Sequence, residues 1–237
     1  MQEKRPEATA ETEAYPRPLV TVDVVILGLR EGELQVLLMK RAAAPFKGRW
    51  ALPGGYIHPQ EDADIEASAR RILAEKTAIV TPYLEQLQAF GDQRRDPRGW
   101  TATFAYFALV APEQLEPKHG ANAAAVSWWT VQPQDRPTLA FDHAAIVDCA
   151  VARLRSKVEY TSLPVHLLPE KFTLPDLQRV YEQILGRKID KSAFRKRMAE
   201  ADFVEPVEGE RRLASNRPAQ LYRVKRGLKT IFFDRTI

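Results

Sequence analysis

Apolar residues fall in short, β-branched runs through the first third of the chain. Val20 to Leu29 (VTVDVVILGL) reads as a buried strand, Arg30-Glu31-Gly32-Glu33 as a hairpin turn, and Leu34 to Met39 (LQVLLM) as the returning strand. A loop holding Pro45 and Gly48 follows. Trp50-Ala51-Leu52 is then a short strand stopped by Pro53-Gly54-Gly55. The period changes at Ile65, Ala69, Ile72 and Leu73, which share one face of a helix from about Asp62 to Lys76. Strands are expected at Leu84–Phe90, Trp100–Val110 and Ala125–Val131, with a polar loop over Asp92–Gly99. Ile146, Cys149, Ala150 and Leu154 share a face of a helix spanning Phe141–Val158. Strands, a helix between them, then more strands and a helix predict an α/β sandwich rather than a βαβ array.

The texture changes after Tyr160. Prolines 164, 169 and 175 break up short helical pieces. Thr173 caps a helix over Leu174–Leu185, which Gly186 closes. Asp190 caps a second helix, Lys191–Ala201, with Phe194 and Met198 facing inward. Phe203-Val204, a polar turn from Glu208 to Arg217 and Leu221–Val224 then form a two-stranded hairpin. Helix, turn, basic helix and hairpin outline a winged helix-turn-helix. The expected division is a polar, disordered tail over 1–17, a sandwich domain over 18–157 and a winged helix over 158–237.

Composition sets limits on this picture. The 237 residues are 45% hydrophobic and 28% charged, as in soluble globular proteins. No apolar run approaches the roughly 18 residues of a membrane helix, and the polar first 17 residues show no secretory signal. These point to the cytoplasm and to no membrane partner. The single cysteine, Cys149, excludes an intramolecular disulfide and any multi-cysteine zinc site. The net charge of +4 hides an asymmetry. Residues 1–152 hold 16 Lys/Arg and 20 Asp/Glu, a net of −4, and residues 153–237 hold 19 and 11, a net of +8. Such a split suggests a basic module for a polyanion joined to something else.

The acidic half carries a chemical motif. Pro53-Gly54-Gly55, Glu61 and Ala69–Ile79 (ARRILAEKTAI) resemble the Nudix box, G-x5-E-x7-R-E-U-x-E-E-x-G-U, where U is aliphatic. Arg70, Ile72 and Glu75 match if one residue is inserted ahead of Arg70. The acidic positions then fall on Arg71, Ala74 and Glu75. Nudix hydrolases use such carboxylates to hold Mg²⁺, a hard cation that needs oxygen ligands. One carboxylate remains here, and an arginine at the first position repels a dication. The box is therefore read as degenerate, with no catalytic residues and no metal. Glu61 and Glu75 are the residual ligand candidates, and Mg²⁺ has a place only if hydrolysis is retained. Asp62, Asp64 and Glu66 could replace the lost ligands, or simply stabilise a helix N-terminus.

A ligand pocket can outlive the catalysis. Gly54 and Gly55 permit close approach of an anion. Arg94, Arg95 and Arg98 flank Asp96-Pro97, and arginine forks suit phosphate oxygens. Trp100 or Phe90 could stack on a base, Asp142 reads as a helix cap, and His143 as a cap partner or a ligand donor. In the basic half, Arg195 is placed to reach a guanine edge, Ser192 either a base edge or a phosphate, while Lys191 and Lys196 suit phosphates. Arg211, Arg212 and Arg217 fall in the hairpin turn, where a wing can meet a minor groove or a phosphate.

Three longer stretches, Tyr83–Val110 (YLEQLQAFGDQRRDPRGWTATFAYFALV), Leu139–Lys157 (LAFDHAAIVDCAVARLRSK) and Arg217–Arg223 (RPAQLYR), together resemble the Nudix-related transcriptional regulators of the NrtR family. The resemblance runs from about Arg17 to Arg226. It implies an α+β chain: a Nudix-like α/β/α sandwich fused to a C-terminal winged helix-turn-helix. It also implies a homodimer on double-stranded DNA with a pseudopalindromic operator, repression of NAD-biosynthesis genes, and release from DNA by ADP-ribose, with no cofactor required. The alternatives are an active ADP-ribose pyrophosphatase with a basic appendage, and an RNA-binding Nudix relative.

Overall fold

The computed structural model describes residues 17–79, 81, 83–111, 123–212, 218–227 and 230–233. Its first part is a mixed sheet centred on β1 (Leu19–Arg30) and β6 (Thr101–Val110). These two run parallel, in register from Leu19↔Thr101 to Gly28↔Val110. Both faces of β1 are buried, which explains its near-continuous apolar run. β2 (Glu33–Arg41) returns antiparallel to β1 through Glu31 and Gly32, both at positive φ (52° and 82°). Two consecutive positive-φ residues make the tight turn that matches strand twist. β2 also pairs with β3 (Trp50–Ala51) and β7 (Ala123–Thr130). β5 (Tyr83–Asp92) lies antiparallel to β6.

β3 ends at Ala51, just before Pro53, as expected, but the glycines then open a further strand that the pattern did not signal. Gly54–Tyr56 forms β4, antiparallel to the start of β1 with Asp23↔Gly54, Val22↔Gly55 and Thr21↔Tyr56. The Pro53 carbonyl, which needs no N–H of its own residue, accepts from Val24 N at 2.9 Å.

Helices cover both faces. α1 (Ile65–Thr77) lays Ala69, Ile72 and Leu73 against Val22, Val24 and Ile26. It starts later than its periodicity suggests because Asp64 caps it, accepting from Ala67 N at 2.7 Å. α2 (His143–Val158) lays Ile146, Val147, Ala150 and Leu154 against Val25 and Leu27 on the opposite face. The α/β/α sandwich is thus present.

Beyond α2 come a 3-10 helix (Leu163–Leu167), α3 (Leu174–Leu185), α4 (Lys191–Ala201) and the hairpin β8 (Val204–Arg212) and β9 (Ala219–Val224). Thr173 and Asp176 form a reciprocal capping box on α3, and Gly186 closes it at φ 69°. The expected turn is shorter than Glu208–Arg217, since β8 runs on to Arg212. Tyr181, Phe194, Met198 and Phe203 join Leu154, Val158 and Leu163 in a single apolar core. The winged helix is therefore packed onto α2 and not tethered beside it. The Tyr181 hydroxyl donates to the Thr161 carbonyl at 2.7 Å, which pins α3 to the end of that connection.

Candidate functional site

A cavity of about 210 Å³ opens where β1, β4, the β5–β6 loop and the N-terminus of α2 meet. It is lined by Thr21, Asp23, Arg41, Leu52, Gly54, Gly55, Tyr56, Arg95, Asp96, Arg98, Phe141 and His143. Of the residues expected from sequence, Gly54, Gly55, Arg95, Asp96, Arg98 and His143 meet here. Arg94 does not line the cavity and is exposed in the loop. Trp100 is half exposed and faces a separate hollow formed with Arg17, Pro18 and Leu19.

Sequence reasoning missed Asp23, Arg41, Tyr56 and Phe141. Asp23 left a readable signal, a lone carboxylate inside a buried apolar strand. Such a group needs a partner, and it has two. Arg95, with a side chain only 3% exposed, reaches Asp23 Oδ2 at 3.3 Å and grips both oxygens of Asp142 at 2.9 Å. Burial works against the charge of Arg95, but the two carboxylates outweigh it and hold the guanidinium more firmly protonated than usual. Asp142 therefore does not cap α2 as expected. It occupies the N-cap position, but its carboxylate is spent on Arg95 and makes no cap bond.

His143 lines the cavity with its ring engaged by the protein. Its ring is buried, and Nδ1 accepts from Leu52 N at 2.9 Å. That bond puts the proton of the neutral ring on Nε2, which faces Asp23 Oδ1 at 3.6 Å. Burial lowers the pKa of His143. Arg98 holds Asp96 through Nε and Nη2, at 3.0 and 2.6 Å, and its guanidinium lies 5.6 Å from the Tyr56 ring centroid. Burial alone would raise the Asp96 pKa, but the Arg98 hydrogen bonds bring it below the usual value. Gly54 forms the floor. A Cβ there would stand 2.0 Å from Asp23 Oδ1, so no side chain fits.

The helix beside the pocket corrects the register of the Nudix box. α1 ends on Ala78, at φ 55° in the left-handed region. That is the conformation a helix-closing glycine serves. Setting the box glycine on Ala78 places the box arginine on Arg71 and the aliphatic positions on Leu73 and Ile79, both buried. The acidic positions become Ile72, Glu75 and Lys76, instead of Arg71, Ala74 and Glu75. Arg71 no longer stands where a metal would. It clamps Asp62 through Nε and Nη2, both at 2.8 Å, and reaches the Tyr56 carbonyl at 3.0 Å. Asp62 is held well below the usual carboxylate range, first by the Arg71 hydrogen bond.

The donor set does not fit a divalent cation. Ile72 is fully buried, Lys76 is itself a cation, and Glu75 is half exposed beside Arg71 at 3.4 Å. Glu61 pairs with His58 at 3.1 Å. Among the described residues, no three His, Cys, Asp or Glu converge on a point where a metal could sit.

The basic half presents a second surface. Asp190 caps α4 by accepting from Ser192 N and Ala193 N at 3.0 and 2.8 Å. Phe194 and Met198 are buried, so Lys191, Ser192, Arg195 and Lys196 lie together on the exposed face. Arg211 and Arg212 are on β8, opposite Gln220 and Ala219, rather than in the hairpin turn. Arg212 donates to Asp176 at 2.7 Å and fastens the hairpin to the start of α3. Arg217 lies outside the described residues. Arg153 and Lys157 both reach Glu85 on β5, at 3.3 and 2.5 Å, so these α2 cations brace the sandwich.

Known proteins share both halves. The NUDIX domain family model matches residues 18–148, and the model for the NrtR DNA-binding winged helix domain matches residues 164–224. The chain is 45% identical over 211 residues to the ADPR responsive transcriptional repressor of Acinetobacter baylyi, covering 88% of this chain and 83% of that protein. It is 32% identical over 133 residues to the ADP-ribose pyrophosphatase of Methanocaldococcus jannaschii, covering 56% and 73%. The Shewanella oneidensis NrtR crystallised with a 27mer DNA superposes with a TM-score of 0.82 at 38% identity, covering 92% of this chain and 99% of that one. The NUDIX domain of the same regulator in complex with ADP ribose gives 0.57 at 39% identity, covering 62% and 94%. With both domain models matched in order and a regulator matched over most of its length, the chain belongs to the NrtR family of Nudix-related transcriptional regulators.

Proposed function

We propose that this chain is an ADP-ribose-responsive transcriptional repressor of NAD-biosynthesis or salvage genes. Its Nudix domain binds the effector without turning it over, and its winged helix reads a pseudopalindromic operator as one half of a homodimer. The observation that carries this reading is the course of α2. Its N-cap Asp142 is held by Arg95, and its first residue, His143, lines the pocket with its ring bonded to the Leu52 amide. Its last turns, Leu154 and Val158, are buried in the core of the winged helix. One rigid element thus touches both the ligand cavity and the DNA-binding module, which is the two-site arrangement that a coupling free energy requires. Loss of a divalent site from the box, through Ile72 and Lys76, supports sensing over hydrolysis.

Within the pocket, the reading assigns the effector to the walls formed by Gly54, Gly55, Arg98 and Tyr56. On the DNA side, Arg195 and Ser192 meet base edges, and Lys191 and Lys196 take phosphates. Two such helices in a dimer would stand about 34 Å apart, one turn of the duplex. Reversing one charge tests the interface. Arg195→Glu is expected to abolish sequence-specific binding to the region upstream of the regulated genes, read by fluorescence anisotropy. The unchanged protein should bind that DNA with strong salt dependence. Wild-type affinity in the variant would remove Arg195 from the interface.

The pyrophosphatase reading is favoured by the match to the Methanocaldococcus enzyme and by the surviving Glu75. It requires Mg²⁺-dependent release of AMP from ADP-ribose, weakened in Glu75→Gln.

A further inference from the structure

The pocket holds three arginines, and two of them are already spent. Arg95 is neutralised by Asp142 and Asp23, and Arg98 by Asp96. Arg41 differs. It is the last residue of β2, displaced by an irregularity in the β2–β7 register between Lys40 and Arg41. Its Nε donates to the Pro45 carbonyl at 2.7 Å, and its guanidinium lies over the Phe141 ring, 4.8 Å from the centroid. Among the described residues it forms no ion pair.

We propose that Arg41 is the group that takes a phosphate of the effector, the one pocket arginine whose charge the protein leaves unneutralised. This inference rests on the effector reading above and names the chemistry that would hold a diphosphate there. Two contacts fix the orientation of the guanidinium, yet neither uses its Nη atoms. They remain free to form two parallel bonds to a phosphate, the geometry at which an arginine fork excels. The charge is also costly where it sits. Burial and the nearby Arg98 both lower its pKa, and Asp96 and Asp23 offset this without touching it. A partly buried cation held in that state gains most from an anion that arrives with the ligand.

The aromatic wall behind Arg41 has an uncommon backbone conformation. Phe141 is held at φ 54° and Phe46 at φ 60°, and the two rings meet edge-on at 4.9 Å. Non-glycine residues at positive φ are uncommon, and such strain gathers at ligand sites. Phe141 also immediately precedes the N-cap of α2. Through Phe141, Arg41 is thus in contact with the segment that leads into α2.

The experiment is isothermal titration calorimetry on the full chain, with ADP-ribose and with inorganic pyrophosphate as separate probes. Wild type should bind both. Arg41→Met should lose at least tenfold in affinity for both, and Arg41→Lys should recover part of it, since it keeps the charge without the fork. A thermal melt checks that each variant is folded, and Arg41→Gln replaces Arg41→Met if that variant is not. Arg41→Met binding both probes within twofold of wild type would overturn the inference, as would a wild type that binds neither. Wild type binding pyrophosphate but not ADP-ribose would sink the effector reading while leaving the role of Arg41 standing.

Discussion

His166 shows what burial does to one titratable side chain. It lies in the 3-10 helix, stacked on Tyr83 at 5.1 Å, and burial pushes its pKa down to about 4. An unfolded histidine titrates near 6.5. Between these values the unfolded chain binds more protons, so acidification favours unfolding. The contribution of this residue is complete above about 6.5 and is lost as the pH falls towards 4. His143, also depressed by burial, adds to the same slope. His166→Phe should therefore flatten the fall in urea-unfolding stability between pH 6.5 and 4 without removing it, because His143 remains. An unchanged slope would mean that the stacked ring is not held neutral.

At the scale of elements, α2 decides how the molecule behaves. Its Leu154 is fully buried, in a core that runs from β1 to α4 without a break. Leu154→Ala should cost about 2–5 kcal/mol. It should lower the stability of both domains together, as one calorimetric transition, because both are packed on the same side chain. Two separated transitions would contradict a shared core. The elements themselves were largely legible in the sequence. The β1 run, the α1 period and the Thr173 and Asp190 caps are local signals, and local chemistry makes them. The failures were non-local. β4 exists because Thr21, Val22 and Asp23, at the distant start of β1, offer it partners. Asp142 fails to cap because Arg95, 47 positions distant, takes its carboxylate. The box slipped by one register because the anchor, the left-handed Ala78, is a backbone fact that an alanine does not announce. In the pocket, the glycines and the Arg-Asp-Pro-Arg loop were readable from residue type. Arg41 and Phe141 were not, since nothing in their neighbours marks them until the chain folds.

The whole molecule joins two unlike surfaces. The −4 part contains the sandwich and an ion-paired pocket, and the +8 part carries the exposed basic face of α4. The charge asymmetry has a location that fits a polyanion, and the pocket has a chemistry that fits a phosphorylated effector. No helix among the described residues is long and apolar enough to cross a membrane. What links the two surfaces is packing through α2, and the central claim is that this packing carries a signal. A mobility-shift titration on operator DNA, with and without ADP-ribose, tests it most directly, with AMP release followed in the same tube. The account predicts a salt-sensitive complex whose apparent affinity falls about 5- to 150-fold when ADP-ribose is added, with the ADP-ribose recovered intact. A complex indifferent to ADP-ribose, or one that responds only as AMP accumulates, would contradict it.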